Sequence, residues 1–121
     1  FAFFPGKDSA YDHDSHFAVA SLWSTWRDGE GSELTTCVAL TTEANDRVSQ
    51  VHNRMPVLLT KDGVAQWLSD DVVAPLHLAN GIPDDAVEYL AVSTDVNNAR
   101  NHGPQLLEPI TLAEETPETL F

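Results

Sequence analysis

The stretch Val51-His52-Asn53-Arg54-Met55-Pro56 constrains the fold more than any other. Pro56 lacks a backbone donor and drives the residue before it out of the helical region, so no helix runs through this point. Upstream, Ala44, Val48 and Val51 recur at i, i+4 and i+7, the apolar stripe of a short helix. Downstream, Val57-Leu58-Leu59 reads as a short buried strand. His52 and Arg54 therefore stand in a turn between a helix and an anchored strand.

The remaining pattern mixes strands and short helices. Phe1 to Phe4 reads as a buried strand with no visible start, as expected of a piece of something longer. His16 to Trp23 is a strand carrying Phe17, Val19, Ser21 and Trp23 on one face, and Trp26 lies just beyond it. Asp28-Gly29-Glu30-Gly31-Ser32 is a hairpin loop, and Leu34 to Leu40 is the next strand. Thr42 is suited to cap the helix that carries the Ala44 stripe. Thr60 is suited to cap a second helix over 61–68, with Val64 and Leu68 inward. A third short helix over 72–79 stops at Asn80-Gly81. Val87 to Val92 is a strand, an Asn-rich loop follows, and 106–110 is extended.

A chain of 121 residues with 42% apolar content can build a core. No apolar run approaches the roughly 20 residues of a membrane helix, and no signal-peptide pattern opens the chain, so no membrane partner is expected. The single cysteine, Cys37, rules out an internal disulfide and fits a reducing, cytoplasmic setting. A net charge of −13 with six Lys and Arg argues against nonspecific nucleic-acid binding by the chain as a whole. The acids are segregated, however. None lies in 51–61 or 97–105, so a face that meets an anion is built from those two loops.

Several residues can carry chemistry. His52, as a histidine, can both give and take a proton, or can equally be a structural residue at a helix C-terminus. Arg54 offers a fixed cation suited to phosphate, or a structural partner for an acid. Thr41 and Thr42, where strand gives way to helix, cap it or point into a site. Asn97, Asn98 and Arg100 form a polar loop cluster in which at least one Asn holds a tight turn. His13 and His16 beside Asp12 and Asp14 have ligand-like spacing but no third clustered ligand, so no metal site is expected. Cys37 reads as a core or half-buried thiol, and Trp23, Trp26 and Trp67 as core.

Four segments then occur in an informative order: Phe17-Ala18-Val19-Ala20-Ser21-Leu22-Trp23, Thr41-Thr42-Glu43-Ala44-Asn45, His52-Asn53-Arg54-Met55-Pro56 and Val96-Asn97-Asn98-Ala99-Arg100-Asn101. Over residues 1–110 the chain resembles the C-terminal half of an SRAP domain, the family named SOS response-associated peptidase, with 111–121 an acidic tail. The resemblance implies an α+β fold with a mixed or antiparallel β-barrel-like core and short flanking helices, here incomplete. It implies binding to abasic sites in single-stranded DNA. An N-terminal cysteine forms a thiazolidine with the ring-opened sugar, and the same site gives lyase and self-processing peptidase, that is hydrolase, activity. By motif, His52 takes the family histidine's catalytic role and Thr41 faces the same pocket. Arg54 would lie near the DNA backbone, with Asn97, Asn98 and Arg100 as further DNA-binding residues. No cofactor is implied.

There are departures. The nucleophilic cysteine, an upstream Asn and Glu and most of the basic groove have no counterpart here, and Cys37 matches no family nucleophile. Ser21 and Ser24 replace the usual Gly and Glu around Leu22-Trp23. The expected partner is therefore the missing N-terminal half of the same domain. The alternative is a non-catalytic binding or interaction module that kept the scaffold. A third class, a metal-dependent hydrolase, would require His13, His16 and His52 to converge.

Overall fold

A computed structural model describes residues 1–7, 9–14, 16–69 and 76–112. In chain order its strands are β1 (Ala2–Pro5), β2 (Ala18–Val19), β3 (Ser21–Arg27), β4 (Glu33–Ala39), β5 (Thr41–Glu43), β6 (Arg54–Pro56), β7 (Leu58–Leu59) and β8 (Val87–Leu90). The helices are α1 (Asp46–Ser49) and α2 (Lys61–Trp67), with short 3₁₀ turns over 76–79, 84–86, 94–97 and 104–107. The fold is α+β. Among the described residues the strands form two-stranded sheets, β1–β8, β2–β7, β3–β4 and β5–β6, and no closed barrel is present. The chain divides into two compact units, Phe4–Glu88 and Phe1–Phe3 with Tyr89–Phe121.

In the first unit the strand expected over 16–23 changes partner midway. Ala18 and Val19 lie opposite Leu59 and Leu58 of β7, while Ser21 to Arg27 run antiparallel to Ala39 to Glu33 of β4. At the crossing, Ala20 N–H donates to the Val57 carbonyl, Leu40 N–H to Ala20, and Val57 N–H to Leu40, all at 2.9 Å. Ala20 is fully buried there, and a small side chain suits three backbones meeting.

The run after Pro56 is buried as expected, and its pleat feeds two clusters. Met55 and Leu58 join Val48, Ile82, Ala86 and Val87. Val57 and Leu59 join Ala20, with Val64, Trp67 and Leu78 packed against them. Val57, Leu58 and Leu59 alternate between the clusters as extended chain does, while Met55 shares a cluster with Leu58 across the break between β6 and β7.

The predicted Thr60 cap is present: Thr60 Oγ1 accepts from Gly63 N–H at 3.0 Å, and α2 follows. Thr42 does not cap α1, because it sits in β5 opposite Met55. Asn45 caps instead, its Oδ1 accepting from Val48 N–H at 2.9 Å. The hairpin loop also forms as read. Asp28 Oδ1 accepts from the N–H groups of Glu30 and Ser32, and Gly31 supplies a φ of 91°. Ser32 N–H foremost holds the Asp28 carboxyl below its usual range.

Other expectations fail. Trp23 and Trp26 are exposed, as is Cys37, because nothing described covers the β3–β4 ribbon. Trp67 packs on the second cluster and its Nε1 donates to the Ser21 carbonyl at 3.1 Å. Leu68 is exposed at the end of α2. The third helix, expected over 72–79, lies outside the described residues up to 75, and 76–79 is a 3₁₀ turn.

In the second unit Phe1 and Phe3 pack on Tyr89, with ring centroids 5.5 and 5.8 Å apart, but both rings are more exposed than a buried strand requires. Val92 bridges to Pro109, and Ile110 N–H donates to the Ala91 carbonyl. Residues 104–107, near the extended segment expected over 106–110, form a 3₁₀ turn.

Candidate functional site

The loop that holds His52 and Arg54 is fixed from both ends. At its start, α1 is one turn long. Asn45 caps it and also donates through Nδ2 to the Pro83 carbonyl at 3.2 Å, while Asp84 Oδ1 accepts from Asp46 N–H at 3.0 Å. The turn closes with the N–H groups of Val51 and His52 both donating to the Val48 carbonyl at 2.9 Å. At the other end, Met55 is buried and Arg54 lies in β6 opposite Glu43.

His52 Nδ1 is 3.0 Å from both the N–H and the carbonyl oxygen of Arg54. It cannot serve both at once. With a lone pair at Nδ1 it accepts from the N–H; with a proton there it donates to the carbonyl. The ring keeps one orientation in either state, and Nε2 takes no part in these bonds.

Arg54 reaches back along the sheet. Its Nη2 donates to the Thr41 carbonyl and to Thr41 Oγ1, both at 2.8 Å. Both acceptors are neutral. The ion pair found among the described residues lies elsewhere, between Arg27 Nε and Glu33 Oε1 at 2.6 Å; Arg54 is oriented by Thr41, with Glu43 its cross-strand neighbour. Thr41, His52 and Arg54 are all exposed and adjacent. Thr41 thus serves as an anchor for the guanidinium, and the sequence did not distinguish this from a role in the pocket.

The Asn-rich loop belongs to the other unit. Ser93 Oγ accepts from Asp95 N–H, and Asn98 Oδ1 accepts from Arg100 N–H at 3.1 Å, so Asn98 is the turn-holding Asn that the sequence anticipates. Asn101 Nδ2 donates to the Asp95 carbonyl, and Gln105 Nε2 donates to the His102 carbonyl across Gly103, whose φ is 115°. An open concavity of about 430 Å³ is lined by Asp95, Arg100, Asn101, His102, Gln105 and Leu106. Arg100 lines it and Asn97 and Asn98 do not. His102 and Gln105 went unnoticed in the sequence, although they continue the same acid-free run.

His13 and His16 are each tied to a backbone carbonyl. Their ring nitrogens lie 3.1 Å from the Leu59 carbonyl and 2.9 Å from the Asp14 carbonyl, and no group of three potential ligands occurs among the described residues.

A family model described as SOS response associated peptidase (SRAP) matches residues 7–99. This chain belongs to the SRAP family. The abasic site processing protein YoqW of Bacillus subtilis (strain 168) is 38% identical over 95 residues, which are 76% of this chain and 42% of YoqW. The abasic site processing protein HMCES of Gallus gallus is 35% identical over 98 residues, 78% of this chain and 29% of its own length. This SRAP chain therefore spans less than half the length of these curated relatives. A crystal structure of a protein from Bacteroides thetaiotaomicron shares the fold at a TM-score of 0.66 and 18% identity, over 89% of this chain and 53% of that one. No helix among the described residues is long and apolar enough to cross a membrane.

Proposed function

We propose that this chain, over residues 1–110, is the C-terminal part of an SRAP domain that acts on abasic sites in single-stranded DNA. The observation that carries the reading is the Arg54 guanidinium, held by two neutral oxygens of Thr41 beside His52 on an exposed edge. A cation held in place by neutral oxygens suits a phosphate. The relatives are abasic site processing proteins, which supplies the DNA lesion.

In this reading Arg54 contacts the DNA backbone, Thr41 orients it, and Asn97, Asn98 and Arg100 add contacts from their own unit. A cysteine contributed by the other half of the domain, which completes the barrel-like core, supplies the nucleophile. Its amine and thiolate each bond to the sugar aldehyde carbon, and the carbonyl oxygen leaves as water, giving a thiazolidine. That oxygen must gain protons and the amine must lose them. His52 Nε2 is the group for this transfer, with Nδ1 held by the Arg54 backbone. The lyase and self-processing steps need the same proton carrier. The protein works in the cytoplasm in this reading.

The test uses the chain joined to the rest of an SRAP domain and an oligonucleotide with one abasic site. Covalent complex that survives denaturation, and slower formation with His52→Ala, supports the reading. No complex with abasic DNA, or equal complex with intact DNA, overturns it.

A further inference from the structure

The β3–β4 ribbon is paired in its backbone and bare on its faces. Its register decides which side chains share a face. Leu22 stands opposite Val38 and Trp26 opposite Leu34, with Ser24 opposite Thr36 between them. These four large apolar residues are 53%, 57%, 60% and 58% exposed in that order. The other face carries Trp23 opposite Cys37, the Thr25–Thr35 hydroxyl pair at 2.9 Å and the Arg27–Glu33 ion pair. One face thus carries large apolar pairs at both ends with the Ser24 and Thr36 hydroxyls between them, and the other carries Trp23 and Cys37 with a hydroxyl pair and an ion pair.

An open apolar face on a two-stranded ribbon is not a stable end state. Such ribbons gain stability by packing against another layer, and contiguous exposed apolar surface marks an interface. A second copy of this chain is a poor occupant, since each copy carries −13. The relatives point to another. The 95 residues aligned with YoqW are 42% of its length, so most of that protein lies outside the match.

We propose that the face formed by Leu22, Trp26, Leu34 and Val38 is the docking surface for the part of the SRAP domain that the relatives carry outside the matched region. The occupant is an apolar surface of that part laid across the ribbon, and Thr25 and Thr35 remain on the far side. This rests on the reading that the chain works as part of a longer domain, and it adds which face makes the joint.

The test is co-expression of the tagged 121-residue chain with the remainder of YoqW, read by co-purification. The unmodified chain and Thr25→Lys/Thr35→Lys should retain the partner, and Trp26→Lys/Leu34→Lys should lose it. Trp26→Ala/Leu34→Ala, which adds no charge, should weaken retention in the same direction. Equal retention by all variants, or loss only with the threonine pair, overturns the face while leaving the longer-domain reading intact. Failure of the unmodified chain to retain the partner, or displacement of the partner by a second copy of the chain, overturns the occupant.

Discussion

Met55, Val57, Leu58 and Leu59 are each 5% exposed or less, whereas Leu22, Trp23, Trp26, Leu34 and Val38 are all more than half exposed. Both regions are extended chain with paired backbones. They differ in what lies against the side chains. The first segment contributes to two clusters and is clamped by three backbones at Ala20. The second is a ribbon whose strands, among the described residues, pair with each other and leave these side chains open. Strand pairing satisfies the backbone, but burial supplies most of the free energy that holds a position. The candidate site hangs from the buried segment: His52 and Arg54 immediately precede Met55. In the proposed function His52 moves a proton and Arg54 meets a phosphate, and both roles gain from that support.

The comparison predicts that function and stability separate at the loop. In a complete SRAP domain, His52→Ala should slow abasic-site cross-linking by about 10²–10⁴-fold. The ring is exposed, so the unfolding midpoint should barely move. Unchanged cross-linking kinetics would remove His52 from the mechanism, and a large loss of stability would make it structural.

The buried segment itself should behave oppositely. Leu58→Ala should cost about 2–5 kcal/mol in denaturant unfolding, while the same truncation at exposed Leu34 should cost well under that in the isolated chain. Equal costs would erase the distinction between the regions.

Asn45→Ala should cost about 1–2 kcal/mol, since it removes a helix cap and also the bond to Pro83. Thr42→Ala, by contrast, should leave α1 capped. The check is amide exchange at Val48.

The smallest effect belongs to the ribbon's loop. Asp28 has a carboxyl held below its usual range, first by Ser32 N–H, so its contribution is present above an unfolded value of about 3.9 and fades as pH falls through the lower folded value. Amide protection at Ser32 should therefore persist at pH 5 and decline only in stronger acid. Loss already at pH 6 would contradict this. Asp28→Asn should remove the pH dependence.

Much of the buried segment was legible. Pro56 and the apolar run after it identify the strand, and Thr60 followed by Lys61-Asp62-Gly63 identifies the second cap. The Asp28–Ser32 loop was equally plain, because turn chemistry is local. The Thr42 cap misled because Thr42 pairs with Met55, a register that no local rule contains. The ribbon misled for another reason: alternation reveals a strand but not whether anything covers it, so Trp23, Trp26 and Cys37 looked like core. At the site, the proximity of His52 and Arg54 was visible in their spacing. The bond from Arg54 to Thr41 was not, because it depends on β5 lying antiparallel to β6.

The proposed function turns on Arg54 presenting its fixed charge to a DNA phosphate. Its most direct test is the salt dependence of single-stranded abasic DNA binding by the complete domain, with and without Arg54→Ala. The account predicts weaker binding to every sequence alike and a slope of log K against log salt that shrinks by roughly 0.7, one lost phosphate contact. An unchanged slope, with a lowered melting temperature in its place, would show Arg54 to be a structural cation and contradict the account.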